Sequence, residues 1–469
     1  MMLLTLRRFS LRSLLPLCSL LVVAACGPGA LDSGTRDGGG GPGAIDGGRL
    51  PNSPDADPAS YAAISGKVYA PGHGPGQVAA GYEVPVFGAL VSISLTPPPA
   101  IPQEVYCDQC VDPPGAHVLT GHDGSFTLTP ILPGTYWLVI QKGQFRIDQQ
   151  ALVGPGERIT LPPNATTLPS RHDPASGLWV PRIALAHGLW DKMEDIVGKM
   201  RIGSVDGSGV FVGSSAAGNF DLYQWGSGDH PANSIGELES LVGDLARMRQ
   251  YHIIFIPCSN GDDSALFGNQ SVRDNIREYV RLGGKFYVTD WSSEWEDVVF
   301  PEFIQFSSDH DTPAGATPAS FSDGNGFPGY ESEDARAEDA DLNAWLNGQR
   351  GPLVDGFGSY RDGVANSNDF VVEGAWNHIE ATPTIQIGVD DEGLPVSETA
   401  KAWVKGDWTP GEGPIHPLTV TFEPQGCGRV LYSSYHTADT AHVGLVPQEK
   451  VLLYLIMEIG VCKSGPIIE

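Results

Sequence analysis

Tyr251-His252-Ile253-Ile254-Phe255-Ile256-Pro257-Cys258, followed by Val280-Arg281-Leu282-Gly283-Gly284-Lys285-Phe286-Tyr287-Val288, decides the reading of this chain. Each segment holds a short, continuous apolar run with no polar alternation, the mark of a strand buried on both faces. Between them, residues 271–282 read as a helix that stops at Gly283-Gly284. Upstream, Arg182-Ile183-Ala184-Leu185-Ala186 reads as another buried strand. Trp190 to Ile202 reads as a helix with Met193, Ile196, Val197 and Met200 on one face, and a second helix covers about 235–248. Downstream, strands are expected at Phe370–Val372, Thr384–Gly388, Leu418–Phe422 and Arg429–Ser433, and an amphipathic helix runs from Pro447 to Ile459 with Glu449 near its start. Buried strands alternating with amphipathic helices imply an α/β domain with a mostly parallel, doubly wound sheet over 181–469. An Asp-, Gly- and Ser-rich stretch, 305–370, interrupts it as an acidic insertion with one helix near 339–347.

The chain before residue 168 changes character. Ile64-Ser65-Gly66-Lys67-Val68-Tyr69 and Ala89-Leu90-Val91-Ser92-Ile93-Ser94-Leu95 alternate with period two. Phe126 and Leu128 continue the pattern after an Asp123-Gly124 turn, and Tyr136, Leu138 and Ile140 after Pro133-Gly134. Short alternating strands between such turns predict a β-sandwich over 61–167, with a polar linker at 168–180. An extended insert, 96–118, carries Cys107-Asp108-Gln109-Cys110. The chain is thus multidomain, a β-sandwich followed by an α/β domain.

Both parts resemble known families. Gly66-Lys67-Val68, Pro85-Val86-Phe87-Gly88-Ala89-Leu90-Val91, Asp123-Gly124-Ser125-Phe126-Thr127-Leu128 and Leu132-Pro133-Gly134-Thr135-Tyr136 resemble the carboxypeptidase regulatory-like, transthyretin-like family. That resemblance implies a spacer or binding module without chemistry of its own. The two opening segments and Gly428-Arg429-Val430-Leu431-Tyr432-Ser433-Ser434-Tyr435-His436 resemble the class I glutamine amidotransferase-like fold in its trehalose-utilisation-like branch. The mature chain as a whole resembles lipoproteins of predatory soil bacteria that join these two domains.

The N-terminus supplies an address. Arg7, Arg8 and Arg12 precede an apolar stretch from about Leu14 to Ala25, the pattern of a secretory signal peptide over 1–25. That stretch is shorter than the ~20 residues that cross a bilayer, and no other run competes, so no transmembrane helix is expected. Val23-Ala24-Ala25-Cys26 resembles the lipobox of bacterial lipoproteins. The resemblance implies cleavage before Cys26, a diacylglyceryl group on its thiol, and membrane partnership through that lipid. Gly27 stands where inner-membrane lipoproteins often carry Asp, which points to an outer-membrane location in the cell envelope. Residues 26–60, rich in Gly, Pro, Asp and Ser, read as the disordered tether.

Composition narrows the partners. The 469 residues hold 59 Gly and 38 Pro, and Lys+Arg 28 against Asp+Glu 56 leaves a net charge of −28. Such a chain repels phosphate backbones, so nucleic acid is not expected as a partner. Of the seven cysteines, Cys18 is expected to leave with the signal peptide and Cys26 would carry the lipid that the lipobox resemblance implies, which leaves Cys107, Cys110, Cys258, Cys427 and Cys462. An oxidising compartment permits disulfides. Cys107-x-x-Cys110 admits zinc, redox or structural readings. Zinc would need further ligands, for which His117 and His122 are poorly spaced, and Pro113-Pro114 blocks the helix a redox pair needs. A local Cys107–Cys110 disulfide and a Cys427–Cys462 staple are therefore expected, with Cys258 left as the odd thiol. No metal site and no cofactor are expected. Calcium is the one ion with any handle, at Asp323-Gly324-Asn325-Gly326 and Glu331-Ser332-Glu333-Asp334, where the EF-hand pattern is not met.

Ligands of open α/β sheets sit at the carboxyl ends of the strands. Those ends carry His187, Cys258, Asp290-Trp291 and His436, which makes a crevice there the site expectation. Its sharpest form is a cysteine hydrolase or amidotransferase-like enzyme, with Cys258 as nucleophile, His436 as base and Asp439 or Asp290 as orienter. The amidotransferase pattern sets small residues around its nucleophile and Pro-Glu after its base. Here Ile256 and Asn260 flank Cys258, and Thr437-Ala438-Asp439 follows His436. The favoured reading is a binding or scaffolding module for a glycan, small molecule or envelope component. Trp225, Trp291, Trp295, Trp376 and Trp408 are either core residues or a carbohydrate platform.

Overall fold

The computed structural model describes residues 60–108, 113, 115–213, 220–225, 233–259, 264–306, 330–349, 370–390, 393–407, 415–424, 427–438 and 440–459. Cys26, Cys110, Trp408, Asp439, Cys462 and Asp323-Gly324-Asn325-Gly326 lie outside them, as does almost all of the expected tether.

The first part of the chain forms two sheets. Strands β1 (Ala62–Lys67), β2 (Leu90–Ser94), β3 (His117–Leu119), β4 (Ser125–Ile131), β5 (Gly134–Lys142), β6 (Phe145–Val153), β7 (Arg158–Thr160) and β8 (Leu178–Trp179) follow one another in sequence. They pair as β4-β1-β7 and β3-β2-β5-β6-β8. The alternation read from sequence has its physical counterpart: Ile64, Phe126 and Leu128 from one sheet share a buried cluster with Val91, Ile93, Leu138 and Ile140 from the other. Leu178–Trp179, inside the expected linker, adds to the edge of β6.

The second part is built on one nine-stranded sheet. Its strands are β9 (Ile183–His187), β10 (Phe220–Gln224), β11 (Ile253–Ile256), β12 (Lys285–Thr289), then, past the short β13 (Gln305–Phe306), β14 (Tyr330–Ala337) and β15 (Phe370–Ala375). Short strands β16 (Ile379–Ala381), β17 (Thr384–Val389) and β18 (Pro395–Thr399) precede β19 (Lys401–Gly406), β20 (His416–Phe422) and β21 (Arg429–Ser433). The order is β10-β9-β11-β12-β21-β20-β19-β14-β15. The first five are mutually parallel and the rest pair antiparallel. β14 comes from the expected acidic insertion and closes against β19 and β15, so part of that stretch belongs to the sheet.

Period two sorts each parallel strand onto two faces. Ile183, Leu185, Ile253, Phe255, Tyr287 and Leu431 join a cluster that also contains helices Met193–Lys199, Ala340–Gly348 and Pro447–Ile459 and the core of the first part. Ala184, Ala186, Ile254, Ile256, Phe286, Val288, Val430 and Tyr432 face helices Leu238–Val242, Leu245–Met248 and Gln270–Arg281. Coverage of both faces explains why these strands read as unbroken apolar runs. The expected 235–248 helix is two short ones, because Asp244 caps a new start by accepting the Ala246 and Arg247 amides. No helix among the described residues is long and apolar enough to cross a membrane.

The described residues form one compact unit, in which the first part docks on the second. Trp345 Nε1 donates to Pro85 O at 2.8 Å, and Lys142 Nζ pairs with Glu458 at 2.6 Å. The insert reaches the opposite edge of the sheet from the expected crevice: Val105 N donates to Arg249 O at 2.7 Å, and His252 Nε2 lies 2.9 Å from Pro102 O. There the disulfide expectation fails. Cys107 bridges to Cys427, not to Cys110, with Cα atoms 5.1 Å apart, so Cys427 is no longer available to Cys462. The insert brings Cys107 to the loop before β21, a meeting of residues 320 apart that local spacing cannot reveal. Gly283, at φ +110°, allows this approach; a Cβ there would strike the Tyr106 carbonyl.

Candidate functional site

Three parallel strands end together. β11 runs out into Pro257-Cys258, β12 into Asp290, and β21 through Ser434-Tyr435 into His436. All three side chains are buried. The Cys258 Sγ, an Asp290 oxygen and a His436 ring nitrogen lie within 4.8 Å of one another. The thiol donates to Asp290 Oδ2 at 3.4 Å, and His436 Nε2 stands 3.9 Å from the same oxygen. The carboxylate therefore sits next to both partners, and the order along the trio is thiol, carboxyl, imidazole. Cys258 is free of any disulfide.

Each member is held from behind. His436 Nδ1 lies 2.7 Å from Thr437 O, so Nδ1 carries the proton and donates it. The Trp376 amide donates to Asp290 Oδ1 at 2.8 Å, and Tyr432 OH donates to Asp290 O at 2.9 Å. The Cys258 amide donates to Thr289 Oγ1 at 2.8 Å, while Trp190 N and Asp191 N both donate to the Cys258 carbonyl. The buried Asp191 carboxylate ties the strand ends together, accepting from Thr289 Oγ1 at 2.7 Å and from the Thr437 amide and hydroxyl at 3.1 and 2.7 Å.

The backbone is strained at the centre. Asp290 has φ +46°, one of two non-glycine residues with positive φ among the described residues, and it is fully buried at the turn from β12 into the 3-10 turn Asp290–Ser292. Left-handed non-glycine residues cost about 1–3 kcal/mol and persist where surroundings over-determine them. Gly374, at φ +69°, lies flat against the His436 ring, where a Cβ would overlap ring atoms.

Burial governs the electrostatics. It pushes the Asp290 carboxyl up to about 7 against the lowering influence of the His436 charge and the Trp376 amide. Burial, reinforced by the neighbouring Asp290 charge, pushes the Cys258 thiol well above its ordinary value. The thiol at neutral pH is thus protonated, the reverse of what a carboxylate-free Cys–His pair produces.

The structure brings Cys258, Asp290 and His436 together out of the expected crevice residues. Trp291 flanks them, its half-buried ring meeting that of Trp376 edge to face at 5.9 Å. His187, at the end of β9, turns to Glu194, with Nε2 3.3 Å from its carboxylate. Trp225 and Trp295 are core residues packed edge to face at 5.7 Å. Sequence reading missed Asp191, which it placed inside a helix that in fact starts at Met193, along with Thr289, Thr437 and Gly374. Only a polar residue closing an apolar strand, as at Thr289, offered a signal.

No protein-family model and no curated protein matches the chain. Among solved structures it is similar to a cytoplasmic protein from Salmonella typhimurium, at 11% identity and TM-score 0.32, over 60% of this chain and 99% of that one. It is also similar to ThuA-like proteins from Bacteroides uniformis (10% identity, TM-score 0.27, 59% of this chain and 90% of that one) and Parabacteroides merdae (14%, 0.26, 61% and 93%).

Proposed function

We propose that this chain is a lipid-anchored envelope protein whose folded part is a binding or scaffolding module. In this reading a transthyretin-like sandwich is fused to a trehalose-utilisation-like α/β domain. The observation that carries it is the state of Cys258: buried, protonated and donating to a carboxyl. A nucleophilic cysteine needs the opposite, an exposed thiol whose proton an adjacent imidazole takes. The partly exposed Trp291–Trp376 pair beside the trio offers an aromatic face of the kind that receives a sugar ring or a small apolar ligand. The Cys107–Cys427 bridge supports an oxidising destination. The lipobox-like Val23-Ala24-Ala25-Cys26 supports the anchor.

Two measurements test this reading. Cys26→Ser moves the protein from the membrane pellet to the soluble fraction if Cys26 carries the lipid; an unchanged distribution refutes the anchor. A small thiol-reactive probe, with labelled residues mapped by mass spectrometry, reads Cys258. The binding reading expects no labelling until the protein unfolds. Fast labelling of native protein that slows in His436→Ala would replace it with the cysteine-hydrolase alternative.

A further inference from the structure

We propose that Cys258, Asp290 and His436 form a binding site for one divalent transition-metal ion of the zinc class. This proposal concerns the same trio in its metal-loaded state, in which Cys258 has given up the proton it donates to Asp290 in the metal-free protein. It rests on four features of the trio.

The first is spacing. Zinc bonds of about 2.3 Å to sulfur and 2.0–2.2 Å to nitrogen and oxygen set tetrahedral donor–donor edges of roughly 3.4–3.6 Å. The sulfur–oxygen separation of 3.4 Å already matches, the nitrogen–oxygen separation of 3.9 Å needs a shift of about half an ångström, and all three donor atoms lie within 4.8 Å of one another. The second is orientation. Two of the donors are oriented by a bond to their other polar atom. His436 donates Nδ1–H to Thr437 O, which turns Nε2 toward Asp290 Oδ2, 3.9 Å away. Asp290 Oδ1 accepts the Trp376 amide, which leaves Oδ2. Such outer bonds orient the ligands of metal sites.

The third is charge. A buried thiolate, carboxylate and neutral imidazole together carry two negative charges, which burial forbids without compensation. One dication neutralises them, and its binding displaces the thiol proton to solvent. The fourth is backbone. The strained Asp290 and the side-chain-free Gly374 together hold the carboxylate and the imidazole where they converge. A sulfur, nitrogen and oxygen donor set selects zinc-class ions over calcium or magnesium, which take oxygen alone. Three protein donors leave the fourth position to water or a ligand.

The test uses the full chain, stripped by chelator and titrated with Co²⁺. A site of this composition gives a sulfur-to-cobalt charge-transfer band that saturates at about one equivalent and is displaced by Zn²⁺. Cys258→Ser abolishes the band, and Asp290→Asn or His436→Gln weakens cobalt binding by at least about tenfold. The proposal is overturned if folded wild-type protein gives no band at millimolar cobalt, or if the band survives in Cys258→Ser. The wild-type titration stands by itself should a variant fail to fold. Its outcome is read separately from thiol labelling, so failure here leaves the module reading untouched.

Discussion

Removing the Cys107–Cys427 bridge is the perturbation whose size the structure lets us work out. The bridge closes a sequence separation of 320 residues. The chain-entropy relation assigns such a loop about 5–6 kcal/mol of destabilisation of the unfolded state, a ceiling reduced where that state keeps residual structure. We therefore expect Cys107→Ala/Cys427→Ala to lose about 3–4 kcal/mol. The native insert should stay docked, because Val105 N–Arg249 O, His252–Pro102 O and the Tyr106–His252 ring contact do not need the bridge. The assay is guanidinium unfolding followed by tryptophan fluorescence, with and without reductant, beside non-reducing peptide mapping. Wild type should weaken on reduction to the level of the double variant, and the double variant should ignore reductant. Equal unfolding midpoints for wild type and variant would refute the entropic argument. A mapped Cys107–Cys110 peptide would refute the pairing itself.

Three further outcomes are expected. Gly374→Ala forces a side chain into a left-handed backbone and against the His436 ring, and should cost about 1–3 kcal/mol or more, read as a fall in Tm. Trp345→Ala empties a fully buried site between the two parts and breaks the bond to Pro85 O, for a loss of about 3–5 kcal/mol by denaturant unfolding; Trp345→Phe should recover most of it. Lys285 is buried, with its ammonium lowered to about 8 chiefly by that burial and then by Arg429. The native state therefore binds fewer protons than the unfolded chain between about pH 8 and the ordinary lysine value, so stability attributable to Lys285 rises with pH across that window. The full shift corresponds to ~3 kcal/mol. Unfolding midpoints from pH 8 to 10 should rise more steeply in wild type than in Lys285→Met; parallel profiles would show that Lys285 is not desolvated.

The sequence was read most accurately where one local property dominates. Helix Pro447–Ile459 and strands Ile253–Ile256, Lys285–Thr289 and Arg429–Ser433 fall where the apolar runs and Gly283-Gly284 put them. Reading was poorest where structure depends on a distant partner. β14 is polar along Tyr330-Glu331-Ser332-Glu333-Asp334 and becomes a strand because β15 and β19 lie beside it. The helix expected over Trp190–Ile202 loses its start because Asp191 is drawn away to Thr289 and Thr437.

The candidate site divides in the same way. That Cys258, Asp290 and His436 belong at one end of the sheet follows from sequence, since a parallel sheet puts all its strand ends on one edge. Which atoms meet does not follow. The carboxyl stands next to both the thiol and the imidazole because Asp290 takes a left-handed turn that only surrounding packing can hold, and because Gly374, far along the chain, makes room for the ring. The members of the proposed metal-ligand set are widely separated in the chain, with no motif spacing to join them. Local periodicity encodes elements, because each depends on its own residues. Pairing of Cys107 with Cys427 and convergence of the trio depend on how those elements pack, and that only the folded chain decides.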